Sequence, residues 1–552
     1  MASITSPLLF TLDQEPAVIS EVRSALGAQD FPRAASLAKA ALMGGLENPL
    51  LLNVAAFSLE QEGRLDDAMR LLQRAREIAP GDVMTLNSIG HWLSKTARPS
   101  EALKLFDAAV AVQPDYAAAH HGRGLALAAL KEFDGAWTSQ LQASALDPHN
   151  ADVLGALASI AANRNDPLAA RSYAEQALAI DPHQPNAVVT LSSLNFDAGR
   201  FDEVVESLHT LIAHGGMTGL HTSAAYRLLA DALEAKGQYA DALEAYVVAN
   251  GILRAANAAV FEADGVERGP ALCERLIAYF STAPKADWTA SSQDMTQSAP
   301  VAEHVFLVGF PRSGTTLLEQ VLATHDKVVA LEERLTLGEV GFQFEDTASL
   351  DRLASMDAAT ADELRRQYWS RVRGFGVDPA GKVFVDKLPL TTLWLPYIAK
   401  LFPKAKVLFA RRDPRDVVLS CFRRRFLMNG AMYDFTDLIE AARFYAGTMA
   451  LAEVYHELLE TDWYNHKHED LVTDFEGETR RLCDFLDLPW TAALSDFAET
   501  AKRRDVQTPS ASQVRRGLYS DGLAQWRRYG EALAPIFPIL QPWVDRFGYP
   551  AA

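Results

Sequence analysis

The stretch HVFLVGFPRSGTTLLEQVL, His304 to Leu322, decides the fold of the second half of this chain. Four apolar β-formers, Val305 to Val308, run into a glycine-bounded loop. Thr315 then opens an amphipathic helix in which Leu317, Leu318, Val321 and Leu322 recur at helical spacing. A strand, a loop and a helix start make an anion cradle, because the first amides of a helix have no intrahelical acceptor and carry the positive end of its dipole. The expected occupant is a phosphate or a sulfate.

The loop from Gly309 to Thr316 is spaced like a Walker A motif, but Thr315 stands where the nucleotide-binding lysine belongs and Arg312 supplies a cation from within. An ordinary ATPase does not read this way. The form PRSGTT resembles the 5′-phosphosulfate loop of sulfotransferases, especially the protein-tyrosine sulfotransferases and their bacterial relatives, which use 3′-phosphoadenosine-5′-phosphosulfate as donor. The resemblance implies that Pro311, Arg312, Ser313, Gly314, Thr315 and Thr316 bind the donor, with the amides of Ser313 to Thr316 on its 5′-phosphate.

At 552 residues the chain is too long for one core. Its three cysteines, Cys273, Cys421 and Cys483, are far apart and in no metal-ligand or redox spacing, so buried thiols are expected and neither a disulfide framework nor a zinc site. The start, MASITSPLLFTLDQEP, lacks a basic n-region, and no apolar run is long enough to span a bilayer, which favours a cytoplasmic protein. Net charge is −19, and residues 1–300 hold 35 acidic against 21 basic side chains. An acidic excess in that half argues against nucleic acid as a partner.

In the N-terminal half, alanines recur at Ala34, Ala68, Ala102, Ala136 and Ala170, with Val204 in the next place. Pro80, Pro114, Pro148 and Pro182 keep the same step of 34, as do Ala75, Ala109, Ala143 and Ala177. Tetratricopeptide repeats look like this: small residues let two antiparallel helices approach, and proline breaks the chain before the next pair. Gly90 and Gly124 are expected at tight helix contacts, and Gly63 and Gly199 at turns between helices. About seven repeats are expected, the end ones atypical. Such a solenoid binds a peptide, a partner or another copy and does no chemistry itself.

Further motifs of the second half extend the resemblance. VVALEER ends on two carboxylates, and Glu332 matches the first Glu of the GEET pattern in the tyrosine-sulfating family, whose Glu deprotonates the acceptor hydroxyl; Glu333 is the alternative. KVFVDKLPL places Lys387 where the family has its catalytic lysine, in reach of the oxygen between sulfate and phosphate. In KVLFARRDPRDVVLSCF, Asp413 and Pro414 suit a helix start. Arg412 and Ser420 have the spacing of the pair that holds the donor's 3′-phosphate, a group ATP lacks. HEDLV and FLDLPW match a bacterial pair except that His468 replaces the usual tyrosine. TPSASQVRRGLYSDGLAQWRRY resembles the closing loop, so Ser510 corresponds to a serine near the transferred sulfate and Arg516, or equally Arg515, to a donor-binding cation.

These readings together predict a multidomain chain: an all-α tetratricopeptide solenoid over residues 15–255, a helical connector and linker over 256–300, and an α/β P-loop-like sulfotransferase domain with a mostly parallel sheet over 301–545. The implied reaction moves a sulfuryl group from 3′-phosphoadenosine-5′-phosphosulfate to a hydroxyl of a peptide tyrosine, a small molecule or a saccharide. Glu332, Lys387, Arg312 and Ser510 would be catalytic, with no metal required, and the repeat groove would hold the acceptor or a protein partner. A repeat scaffold carrying an inactive nucleotide-binding domain is the alternative, and a P-loop kinase is disfavoured by the missing lysine.

Overall fold

The computed structural model describes residues 15–217, 219–288, 301–338, 340–504, 517–518 and 522–551. The chain divides into two compact units, Met1–Lys236 and Gly237–Ala552.

The first unit is an array of helical hairpins. Thirteen-residue helices Pro49–Gln61, Val83–Lys95, Ala117–Ala129, Ala151–Asn163 and Pro185–Asp197 each pair with a fourteen-residue helix: Leu65–Ile78, Pro99–Val112, Phe133–Leu146, Pro167–Ile180 and Phe201–His214. A hairpin of Glu15–Gly27 and Phe31–Met43 precedes them, and the helix Gly219–Ala235 follows. The marker alanines Ala34, Ala68, Ala102, Ala136 and Ala170, and Val204, are fully buried. Small side chains are required there because the paired helices pack face to face. Gly90 and Gly122 lie on either side of Phe106, whose ring would meet an added Cβ at 2.7 Å and 2.3 Å. Gly124 is equally close to Gln140. The turn between the two helices of a hairpin needs a left-handed residue each time, at Gln29, Gly63, Ala97, Lys131, Asn165 and Gly199.

The second unit is an α/β domain around a five-stranded, wholly parallel sheet. Its strands are β1 (Glu303–Gly309), β2 (Val328–Glu332), β3 (Val383–Lys387), β4 (Lys406–Arg411) and β5 (Trp463–Lys467), in the order β2-β3-β1-β4-β5. Central β1 has chain crossing to either side, and the crevice beyond the carboxyl ends of such strands is where open α/β sheets bind ligands. Alternation along the strands gives the sheet two different faces. Val305, Leu307, Val383, Val385, Leu408 and Ala410 pack with Leu318, Val321 and Leu322 of the helix Thr315–Leu322. The opposite face is aromatic: His304, Phe306 and Phe384 pack in tilted and edge-on contacts with Tyr368, Trp369 and Phe402.

The helix Tyr239–Phe261, read as the end of the solenoid, clusters with the second compact unit, where Asn250 Nδ2 donates to the Phe422 carbonyl at 2.9 Å and Tyr433 donates to Glu262 at 2.8 Å. One expectation changes. The helix Thr315–Leu322 is not amphipathic but buried nearly all round, Glu319 and Gln320 included, because it is sandwiched between the sheet and the later helix Phe497–Arg503. All three cysteines are buried and unpaired. Among the described residues no helix is long and apolar enough to cross a membrane.

Candidate active site

The loop after β1 is tight because two residues adopt left-handed backbone, Arg312 at φ 72° and Gly314 at φ 89°. A Cβ on Gly314 would lie 2.4 Å from His468 Nδ1, so the loop needs glycine there on two counts. The first helical hydrogen bond after the loop runs from the Leu318 amide to the Gly314 carbonyl. No side chain caps this helix. This uncapped helix start, with the positive end of its dipole at the loop, opens an anion site. The Ser313 amide is engaged with the Phe310 carbonyl at 3.2 Å, which leaves it less suited to an anion than expected.

A second cationic group joins this loop to β4. Asp413 caps the helix Pro414–Arg423, as its sequence predicts, by accepting from the Arg415 amide. The helix carries Ser420 back to the loop, and Arg312 Nε donates to Ser420 Oγ at 3.0 Å. Arg412 Nη1 donates to the Arg312 carbonyl at 3.3 Å, and Nη2 to the Gly522 carbonyl. Pro311, Arg312, Gly314, Thr315, Thr316, Arg412 and Ser420 line one cleft, together with Glu333, Arg423, Arg424 and His468. Leu388, Leu390, Phe426 and Met432 add apolar lining to the cleft.

Lys387 ends β3, one register position from both neighbours: it faces Leu307 on β1 and Glu332 on β2. Its parity is that of Val383 and Val385, so its side chain lies on the loop-helix face and is fully buried. Lys387 Nζ donates to Glu333 Oε1 at 2.8 Å and lies 3.5 Å from Glu319 Oε2 and 3.9 Å from Glu332 Oε1. The two adjacent carboxylates therefore differ. Glu332 continues β2 toward the buried side, where burial, and next the nearby Glu319 charge, push its carboxyl above the usual range. Glu333 follows the strand end at φ 41°, its amide held by the Lys387 carbonyl at 2.8 Å, and it turns into the cleft. Glu332 does not line that cleft.

His468 opens the helix His468–Thr473 directly after β5. Burial, and next the Arg412 guanidinium, hold its imidazole well below its ordinary range. Of the neighbouring basic cluster, His466 is tied to Glu478 at 2.7 Å, and Lys467 lies over the Tyr549 ring. Ser510, Arg515 and Arg516 lie outside the described residues. Glu319 is the residue that sequence reasoning passed over: an acid between leucines of a supposedly amphipathic helix reads as solvent-facing, and only the packing of Arg504 and Lys387 on it reveals its burial.

Residues 304–492 match the profile of the sulfotransferase family, and residues 19–83, 93–143 and 190–252 match the tetratricopeptide repeat. An uncharacterised protein of Aquifex aeolicus is 27% identical over 382 residues, 67% of this chain and 48% of that protein. Protein-tyrosine sulfotransferase A of Caenorhabditis elegans is 25% identical over 266 residues, 44% of this chain and 67% of that enzyme. Protein-tyrosine sulfotransferase 1 of Danio rerio is 26% identical over 264 residues, 44% of this chain and 72% of that enzyme. The chain thus spans about half the length of the Aquifex relative. It carries tetratricopeptide repeats and a sulfotransferase domain similar to that of the protein-tyrosine sulfotransferases.

Proposed function

We propose that the second unit transfers a sulfuryl group from 3′-phosphoadenosine-5′-phosphosulfate to an acceptor hydroxyl. The observation that carries this reading is the joining of two anion sites in one cleft: the loop amides with Arg312, and the Arg412–Ser420 pair. A donor with phosphate at both its 5′ and 3′ positions fits such a pair, and ATP does not fill the second. Ser510, with Arg515 or Arg516, joins the donor site by resemblance to the family alone.

In the proposed step the acceptor oxygen attacks sulfur, its proton passes to a carboxylate, and the bond from sulfur to the bridging oxygen breaks to release the 3′,5′-bisphosphate. Glu333 is the better placed base, since it lines the cleft and bonds Lys387 at 2.8 Å, whereas Glu332 does not line the cleft and lies 3.9 Å from Lys387. A positioned base contributes roughly 10²- to 10⁴-fold. Lys387 and Arg312 stabilise charge on the bridging and non-bridging oxygens, an effect strengthened by burial of the ammonium. The apolar lining by Leu388, Leu390, Phe426 and Met432 suits an acceptor with an aromatic or aliphatic body, and a peptide tyrosine is one such. The repeat unit would then bind a protein partner or the acceptor's polypeptide and raise its local concentration.

The test is release of the bisphosphate from donor with a tyrosine peptide, a simple phenol or a saccharide as acceptor. Turnover is expected with at least one of them, abolished by Lys387→Met. Glu333→Gln should lower kcat by about 10²-fold or more, and Glu332→Gln by far less. The reverse ranking would move the base to Glu332, and no donor consumption by folded protein would contradict the reaction.

A further inference from the structure

Glu319 is a carboxylate with no exposure to solvent, on the helix that the phosphate loop opens. Buried charges persist in folded proteins when they are paired. Both of its oxygens are so placed: Oε2 lies 3.5 Å from Lys387 Nζ and Oε1 lies 3.0 Å from Arg504 Nη1. Arg504 is fixed in turn by donating from Nη2 to the Ala330 carbonyl of β2 at 2.7 Å. The charges around the Lys387 ammonium come from every element against it: Glu319 from the loop helix, Glu332 and Glu333 from the end of β2, and Arg504 from behind Glu319. On its own strand Asp386 faces away, bonded to Thr336 and Tyr368.

We propose that Glu319 is a positioning residue that holds the Lys387 ammonium at a set distance from the anion bound in the loop, with Arg504 holding Glu319. Strand β3 alone fixes where the lysine backbone ends, but four rotatable bonds separate it from the charge. An ion pair to the very helix whose N-terminus binds the donor ties ammonium and anion to one rigid element. This inference rests on the sulfotransferase reading of the cleft. A charge pair that merely stabilised the core would leave ligand discrimination unchanged once the protein had folded.

The test is calorimetric binding of the phosphosulfate donor and of the 3′,5′-bisphosphate to the full chain, with melting temperatures alongside. Lys387 is expected to favour the phosphosulfate, and Glu319→Gln to weaken that ligand about tenfold while leaving the bisphosphate within about threefold. Arg504→Met should produce a loss of the same selective kind, and Glu319→Asp should restore part of the wild-type preference. Selective loss of one ligand by a folded variant is not a stability effect. Should Glu319→Gln not fold, the ligand preference of Arg504→Met decides. Variants that bind both ligands with wild-type affinities would overturn this inference alone, and wild-type protein that binds neither ligand would overturn the sulfotransferase reading with it.

Discussion

Asp386 lies one residue before Lys387 on β3 and faces the aromatic side of the sheet, where Thr336 Oγ1 and Tyr368 donate to its Oδ2 at 2.6 and 2.7 Å. Burial pushes its carboxyl from 3.8 up to about 6 despite these donors. The folded state therefore keeps a proton that the unfolded chain has already released, so the contribution of this group to stability falls as pH rises from about 4 through 6 and stays low above. Asp386→Asn is expected to gain stability relative to wild type between pH 4 and 8 by at most about 3 kcal/mol, read by denaturant unfolding at several pH values. A difference that did not vary with pH would contradict it. At this scale the sequence shows Lys387 by its strand-end place and Arg412 and Ser420 by their spacing. It does not show which of two adjacent glutamates enters the cleft, because that follows from the φ of Glu333. Glu319 was illegible for a related reason: burial of a whole helix removes the polar face from which its role would be read.

Among elements, the strand, loop and helix from Glu303 to Leu322 are legible almost entirely from local chemistry: β-formers, a glycine-bounded turn and a helix start. What is missing from that reading is the neighbour. His468, more than 150 residues along the chain, fills the space beside Gly314 and makes the loop intolerant of any side chain. Gly314→Ala adds strain of about 1–2 kcal/mol at φ 89° and a clash with the imidazole. It is expected to weaken bisphosphate binding at least tenfold as the loop shifts, and wild-type affinity would contradict this geometry. In the solenoid the step of 34 fixes helix boundaries because each hairpin repeats the same two close contacts, alanine on helix and left-handed turn. Ala97 adopts φ 58° at the place where Gly63 and Gly199 stand in other repeats. Ala97→Gly is expected to stabilise the repeat unit by roughly 0.5–1 kcal/mol, measured as a raised unfolding midpoint, because relief of left-handed strain exceeds the added entropy of the unfolded chain. A lowered midpoint would place the strain elsewhere.

The whole molecule joins two units with different physical characters. One is a repeat array with an acidic excess and a core built of alanine. The other is a sheet domain whose cations gather at the carboxyl ends of its strands, with Arg312, Lys387 and Arg412 inside an overall acidic chain. Two cores were legible from length and from the change of periodicity near residue 300, and the helix Tyr239–Phe261, most of which still matches the repeat, clusters with the second unit through contacts of Asn250 and Tyr433. The family matches fall in separate stretches, repeats within residues 19–252 and the sulfotransferase profile in 304–492. The proposed reaction requires the cleft to recognise a nucleotide by two phosphates, one at the loop and one at Arg412. It is tested most directly by titrating the full chain with 3′-phosphoadenosine-5′-phosphate and with ATP in a calorimeter, beside Arg412→Ala. Micromolar binding of the bisphosphate is expected, with at least roughly tenfold weaker binding of ATP and loss of that preference in the variant. Equal affinity for ATP, or a bisphosphate affinity indifferent to Arg412→Ala, would contradict it.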